Sequence, residues 1–216
     1  MIGRPRVHHA VCDSTNERAK ELAAAGAPHG TLVTAHEQTA GRGRQGREWV
    51  APPRSAVLMS LVLREFDSLL PLRAAVAVAE TVGSEEIKWP NDFWLGGRKV
   101  AGILVEGRPA EGWAVLGIGV NARPVEFPSA LNAVALDDGR GVEEVLAALV
   151  GALERWLGAT DPLDAWRTRD ALKGRTIGWV GGVGGVAAGV DDSGALLVDT
   201  PDGREALQAG EVHLIL

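Results

Sequence analysis

Apolar and polar positions change period several times along the chain, and the changes mark out its elements. Ala56 to Arg64 (AVLMSLVLR) is nearly continuous apolar sequence, which predicts a central strand covered on both faces. Trp113 to Val120 (WAVLGIGV) reads as a second buried strand, interrupted by Gly117 and Gly119 and ended by Asn121. Glycines inside a strand mark a bulge or a place where a ligand packs flat. Arg6 to Val11 and Thr31 to Gln38 are shorter strand-like runs. Ile87 to Arg108 alternates strand and turn, with turns at Pro90-Asn91-Asp92 and Gly96-Gly97. Gly102, inside the strand Lys99 to Glu106, points to a close approach by another backbone or a ligand.

Helical spacing fills the gaps. Ala19, Leu22, Ala23 and Ala25 form one apolar side of a helix that starts at Ser14 and stops at Gly26; Ser14 as N-cap puts Glu17 at the third position, a capping box. Leu70 to Val82 begins near Pro71 and closes at Gly83. Gly141 to Leu157 is amphipathic, with Glu143, Glu144 and Glu154 on a solvated face, and Asp161-Pro162 opens another helix through Leu172. From Lys173 the pattern breaks into glycines, Gly181 among them, and short runs at Val186 to Val190, Ala195 to Thr200, Glu205 to Ala209 and Val212 to Leu216. The expected fold is α+β: a mixed β-sheet flanked by helices over residues 1–172, and a small closed β-barrel of four or five strands over 173–216. So small a unit should lean on the larger one.

Composition narrows the function. The chain has 216 residues and a formal charge of −6, which argues against nonspecific binding to nucleic acid. No apolar run reaches about 18 residues and the N-terminus lacks a signal-peptide core, so a cytoplasmic protein is expected, with no membrane partner. One cysteine, Cys12, excludes an internal disulfide, and the five scattered histidines give no metal-binding pattern.

Against this acidic background the stretch Thr39 to Trp49, TAGRGRQGREW, alternates Gly41, Gly43 and Gly46 with Arg42, Arg44 and Arg47. Glycine lets backbone approach a ligand and arginine offers a fork for phosphate or carboxylate, so this is a mobile anion-binding loop or, less economically, a nucleic-acid patch. Ser14, Thr15 and Asn16 cap a helix or present groups to a ligand at its N-terminus. Gln38 is a turn former or a reader of ligand donors and acceptors. Lys88 and Lys99 sit beside tight turns, as solvated or as functional lysines.

Five motifs in order carry a resemblance: DSTN at Asp13 to Asn16, QTAGRGRQGREW at Gln38 to Trp49, KWPND at Lys88 to Asp92, KVAGILVE at Lys99 to Glu106, and GIGVN at Gly117 to Asn121. Together they resemble the biotin protein ligases, and AGEVHLI near the end looks like the closing strand of that family's C-terminal domain. The resemblance implies a class II synthetase-like catalytic domain with an SH3-like barrel. It implies a two-step reaction: biotin and ATP, with magnesium, give biotinoyl-AMP, and a lysine of a biotin carboxyl carrier of acetyl-CoA carboxylase or a related enzyme takes the acyl group. Carried over by motif, Ser14, Thr15, Asn16, Gln38 and Gly102 are similar to biotin-binding residues. Arg42, Gly43 and Arg44 match the covering loop, Arg42 toward the carboxyl or phosphate and Arg44 toward the adenylate. Lys99 matches the lysine at the carboxyl and α-phosphate oxygens, so Lys99, Arg42 and Arg44 are the expected catalytic set. Trp49 and Asn121 resemble adenine-side contacts; Lys88, Asn91 and Asp92 resemble the nucleotide and metal side, with no metal ligand set beyond magnesium near Asp92.

Some members of that family carry an N-terminal DNA-binding domain of roughly sixty residues. DSTN at residue 13 leaves no room for it, so a monofunctional ligase without DNA binding is expected. An exposed sheet edge leans toward a homodimer. The rival readings are a lipoate or octanoate ligase or transferase of the same fold, some of which use a cysteine acyl carrier, and a non-catalytic biotin- or nucleotide-binding module. Cys12 reads as a small packing residue, and the pairing of KWPND with GRGRQGR favours biotin.

Overall fold

The computed structural model describes residues 1–128, 131–180, 182 and 184–215. Leu216, the expected end of the last strand, and Gly181 of the glycine-rich run lie outside the described residues. The larger sheet has seven strands: β1 (Arg6–His9), β2 (Leu32–Ala35), β3 (Ala56–Leu63), β4 (Glu86–Lys88), β5 (Asp92–Leu95), β6 (Arg98–Arg108) and β7 (Trp113–Asn121). They are ordered β1-β2-β3-β7-β6-β5-β4, with β1 and β2 parallel and the other pairs antiparallel.

Every residue of β3 is buried because helices cover both faces. Helix α1 (Thr15–Ala24) packs Ala19 and Ala23 against Val33, Val62, Trp113 and Val115. On the other face, α2 (Leu70–Val82) lies between the sheet and α3 (Val142–Leu157). Helix α2 is alanine-rich because it is pressed from two sides, and Gly83 ends it at φ 65°. Helix α3 buries Val145, Leu146, Leu149, Ala152 and Leu153, a stripe one helical face wide.

The acidic residues of α3 are not merely solvated, as the sequence suggested. Glu143 takes both terminal nitrogens of Arg6 at 2.8 Å, Glu144 accepts the Gly141 N–H at 2.6 Å and Glu154 accepts the Ile2 N–H at 2.6 Å. They fasten the N-terminal strand and the helix start to the body.

Two other expectations change. Ser14 flanks α1, but its side chain makes no capping bond and Glu17 turns toward Lys20 and Arg42, so no capping box forms. The helix expected to run through Leu172 is the short α4 (Leu163–Arg167). Beyond it the chain extends to pair with β4: Ile87 N–H donates to Arg169 O at 2.7 Å and Ala171 N–H to Ile87 O at 3.0 Å. Covering a bare sheet edge outweighs two more turns of helix.

The second sheet is antiparallel, ordered β11-β10-β9-β8-β12, from β8 (Thr176–Trp179), β9 (Gly185–Val190), β10 (Leu196–Thr200), β11 (Gly203–Leu207) and β12 (Val212–Leu214). Its inner residues Ile177, Ala187, Leu196, Val198 and Val212 join the core of the larger sheet, and Trp89 Nε1 donates to Gly194 O at 3.1 Å across the junction. The small unit does lean on the large one.

Arg6 holds the Glu143 carboxyl below the usual carboxylate range, chiefly by hydrogen bonding. A depressed folded value stabilises above the unfolded value and stops doing so as pH falls through the folded one. Glu143→Gln should therefore lower the melting temperature at pH 7 by at most about 3 °C, the scale of an exposed pair in a chain of this size. Thermal unfolding at pH 7 and at about pH 3 checks this, and the difference should be smaller at the lower pH.

Candidate active site

Strand alternation creates the site. On the sheet face that carries α1, hydrogen-bonded registers put Leu58, Gly119 and Gly102 in one row across β3, β7 and β6, and Ser60, Gly117 and Leu104 in the next. Three of these six positions have no side chain, so the sheet offers a flat floor there.

Two side chains from elsewhere lie on it. The Asn16 side chain sits over Gly117, where any Cβ would collide with its amide. Trp49 lies over Gly119 and Gly102; a Cβ on Gly119 would come within 2.5 Å of the indole, and one on Gly102 within 3.4 Å. Trp49 Nε1 is buried without a hydrogen-bond partner, a donor that a ligand acceptor can satisfy.

Around Asn16 lies a polar nest. Ser60, wholly buried in β3, has its Oγ 2.5 Å from Asn16 Oδ1 and 2.9 Å from Thr15 Oγ1. Gln38 Oε1 accepts the Thr15 N–H at 2.7 Å and its hydroxyl at 3.1 Å. Asn16 Nδ2 donates to Glu106 at 2.8 Å. Burial pushes the Glu106 carboxyl up, but donation from Asn16 and Lys20 and the charges of Lys20 and Arg42 outweigh it and hold it below its usual range.

The other end is cationic. Lys99 Nζ is 2.7 Å from Asp92 and 5.7 Å from the Trp49 ring. Arg44 donates to Asn91 Oδ1 at 3.3 Å, and Asn91 in turn donates to Ile103 O at 3.0 Å. Desolvation pushes both Arg44 and Lys88 below their ordinary values, opposed by the charge of Asp92. Cations held against such a cost favour an incoming anion.

The glycine–arginine loop folds on itself: Gly43 N–H donates to Arg47 O at 2.7 Å and Trp49 N–H to Gly41 O at 3.0 Å, with Gln45 and Gly46 at positive φ in its tip. Its three arginines reach three different elements. Arg42 pairs with Glu17 of α1, Arg44 with the β4–β5 turn, and Arg47 with Glu211 just before β12.

One cavity, of about 100 Å³, is lined by Ser14, Thr15, Asn16, Gln38, Arg42, Gly43, Arg44, Trp49, Lys88, Asn91, Asp92, Lys99 and Gly102. Trp49 and the loop form part of its wall. The exception is Asn121. It is 5% exposed and lies outside the lining; its amide donates to Val134 O at 3.0 Å and Lys99 O at 3.5 Å. It braces the backbone behind Lys99. Sequence reasoning missed Ser60, Glu17 and Glu106. The hydroxyl in the otherwise apolar run AVLMSLVL was the available signal for Ser60. Cys12 is half-buried, and burial with Asp13 nearby pushes its thiol up, which suits packing and not acyl transfer.

Residues 9–121 match the model of the biotin/lipoate A/B protein ligase family, and residues 181–214 that of the biotin protein ligase C-terminal domain. The chain is 39% identical to a biotin–acetyl-CoA-carboxylase ligase of Paracoccus denitrificans, over 93% of this chain and 96% of the relative. It is 33% identical to a bifunctional ligase/repressor of Bacillus subtilis, over 99% of this chain and 75% of the relative. The structure of the biotin protein ligase from Aquifex aeolicus in complex with biotin and ATP superposes with a TM-score of 0.83 at 27% identity, covering 98% of this chain and 99% of that one.

Gly117→Ala should drive a methyl into the Asn16 amide and cost roughly 1–3 kcal/mol of stability. Denaturant unfolding measures it. Adding Asn16→Ala in the same chain should recover most of the loss, since the two residues share one space.

Proposed function

We infer the reaction from family and geometry together: the chain belongs to the biotin/lipoate A/B protein ligase family, and it is a biotin protein ligase. It activates biotin with ATP and transfers it to a carboxylase's biotin carrier. The observation that carries the residue assignment is the one cavity that joins a polar nest to a cluster of cations over a glycine floor.

Each end suits a part of the substrates. Ser14, Thr15, Asn16 and Gln38 offer donors and acceptors to the ureido ring of biotin. A dithiolane or alkyl chain offers those groups no donor or acceptor, which is a basis for discrimination. The carboxylate of biotin then points toward Lys99. One of its oxygens bonds to the α-phosphorus of ATP, and pyrophosphate leaves with the electron pair of the broken bond. Lys99 and Arg44 neutralise the oxygens at that centre without proton transfer, with Lys88 on the nucleotide side; positioned charge is the main requirement of such a transition state. Among the described residues no cluster of three acidic, histidine or cysteine groups could hold a metal ion. Magnesium arrives on the phosphates, as this ion prefers, near Asp92.

In the second step the neutral amine of the carrier lysine attacks the acyl carbon and AMP departs. The nucleophile is supplied by the partner, so the chain needs no serine or cysteine of its own. Between steps the loop from Thr39 to Trp49 keeps water from the mixed anhydride, with Arg44 retaining the adenylate.

The catalytic unit is assigned to residues 1–172 and the small unit to 173–216, in the cytoplasm, where ATP and carboxylases meet. Past Gly102, β6 has no strand partner on its β5 side among the described residues, and this edge supports a homodimer. The charge of −6 weighs against DNA as a partner.

Biotin, and neither lipoate nor octanoate, should drive pyrophosphate release from ATP and magnesium, and a biotin carrier domain should then gain the mass of one biotinyl group. Lys99→Ala should lower kcat/KM about 10²–10³-fold. Arg44→Ala should shed biotinoyl-AMP faster; an unchanged dissociation rate would remove Arg44 from the retention role. Release with lipoate would move the specificity to the sister branch of the family.

A further inference from the structure

We propose that Glu17 and Glu106 are positioning residues that hold the lid shut: they clasp Arg42, and through it the glycine–arginine loop, over the ring pocket, and so set how long the acyl-adenylate is kept. The proposal rests on the lid role assigned above and adds what fastens it.

The loop has few other attachments near its tip. Its backbone is bonded to the body at the entry, where Thr39 N–H donates to Cys12 O and Ala40 N–H to Asp13 O, each at 2.9 Å. Between Arg42 and Arg47 the described backbone bonds run only within the loop, and a second cavity separates it from Leu104 and Glu106. Side chains must therefore hold the tip.

On the α1 side that task falls to two carboxylates. Glu17 pairs directly with Arg42, and Glu106 stands 3.8 Å from the same guanidinium. Lys20 completes a neutral group of four, 2.7 Å from Glu17 and 3.3 Å from Glu106. Glu106 divides its oxygens: one accepts from Asn16 in the ring pocket, the other faces Lys20 and the lid. The residue that seats the ring pocket thus also anchors its cover. Arg42 is about half exposed, so the clasp is screened by salt and its effect is modest, which suits a lid that opens every turnover.

The experiment preloads the enzyme with labelled biotin and ATP, chases with unlabelled biotin and follows loss of biotinoyl-AMP. Glu17→Gln should leave formation of the intermediate unchanged and speed its loss about fivefold. Glu17→Asp, which keeps the charge, should restore retention, and Glu17→Lys should shed the intermediate faster still. Added salt should speed loss from the wild type and have little effect on Glu17→Gln. Glu106→Gln should add a rise in the KM for biotin, through Asn16. Unchanged loss in both glutamine variants, or equal loss in Glu17→Asp, overturns the proposal. Pyrophosphate release by the wild type tests the ligase reading separately. Should that fail, limited trypsin cleavage at Arg42, Arg44 and Arg47 reads the clasp without catalysis, and a cleavage rate equal in wild type and Glu17→Gln would overturn it.

Discussion

Everything at the site depends on a missing volume. Gly102 and Gly119 are register partners on neighbouring strands, and Gly117 lies one row further along β7. A β-sheet face normally presents a side chain at every such position, which would lift any ligand several ångströms off the backbone. Without them Asn16 reaches Ser60 in the sheet interior, and Trp49 lies flat where a planar ligand ring could also lie. The remaining side chains of the site come from the rim: the start of α1, the loop, the β4–β5 turn and the base of β6.

Charge is arranged with the same economy. The chain is acidic overall, yet Arg42, Arg44, Arg47, Lys88 and Lys99 converge on one mouth. Four of the five have an acidic or amide partner: Glu17 on Arg42, Asn91 on Arg44, Glu211 on Arg47 and Asp92 beside Lys99. Arg44 and Lys88 are also held below their ordinary values by desolvation, so this mouth is the part of the acidic chain best suited to an anion.

The sequence was most legible where one physical cause dominated. Helix α2 and strand β7 run between the residues that periodicity, Pro71, Gly83 and Asn121 mark, because apolar burial and backbone chemistry agree there. It misled where a local signal met a tertiary competitor. Ser14 and Glu17 spell a capping box, but Glu17 found two cations, Lys20 one turn along its own helix and Arg42 from the loop. The pattern through Leu172 is helical, but residues 169–171 were drawn to an open sheet edge. The motifs located the cavity, since their glycines and cations have local meaning, but they could not place Asn121, whose amide braces Lys99 from behind. Glu106 lay inside a recognised motif without a visible role, because its partners Asn16, Lys20 and Arg42 are 64 or more positions away in the chain.

The strand-like segment from Arg169 to Ala171 has a bearing on how the protein is made. It covers β4 from a position more than eighty residues later in the chain. During synthesis the larger sheet can assemble from its first 160 or so residues, but it does so with a bare edge, and Trp89 has no carbonyl to meet until Gly194 emerges. The vulnerable interval for a nascent chain therefore falls late, between completion of α3 and arrival of the small sheet. Arg169 to Ala171 then closes the edge, and the small sheet that follows supplies the carbonyl for Trp89.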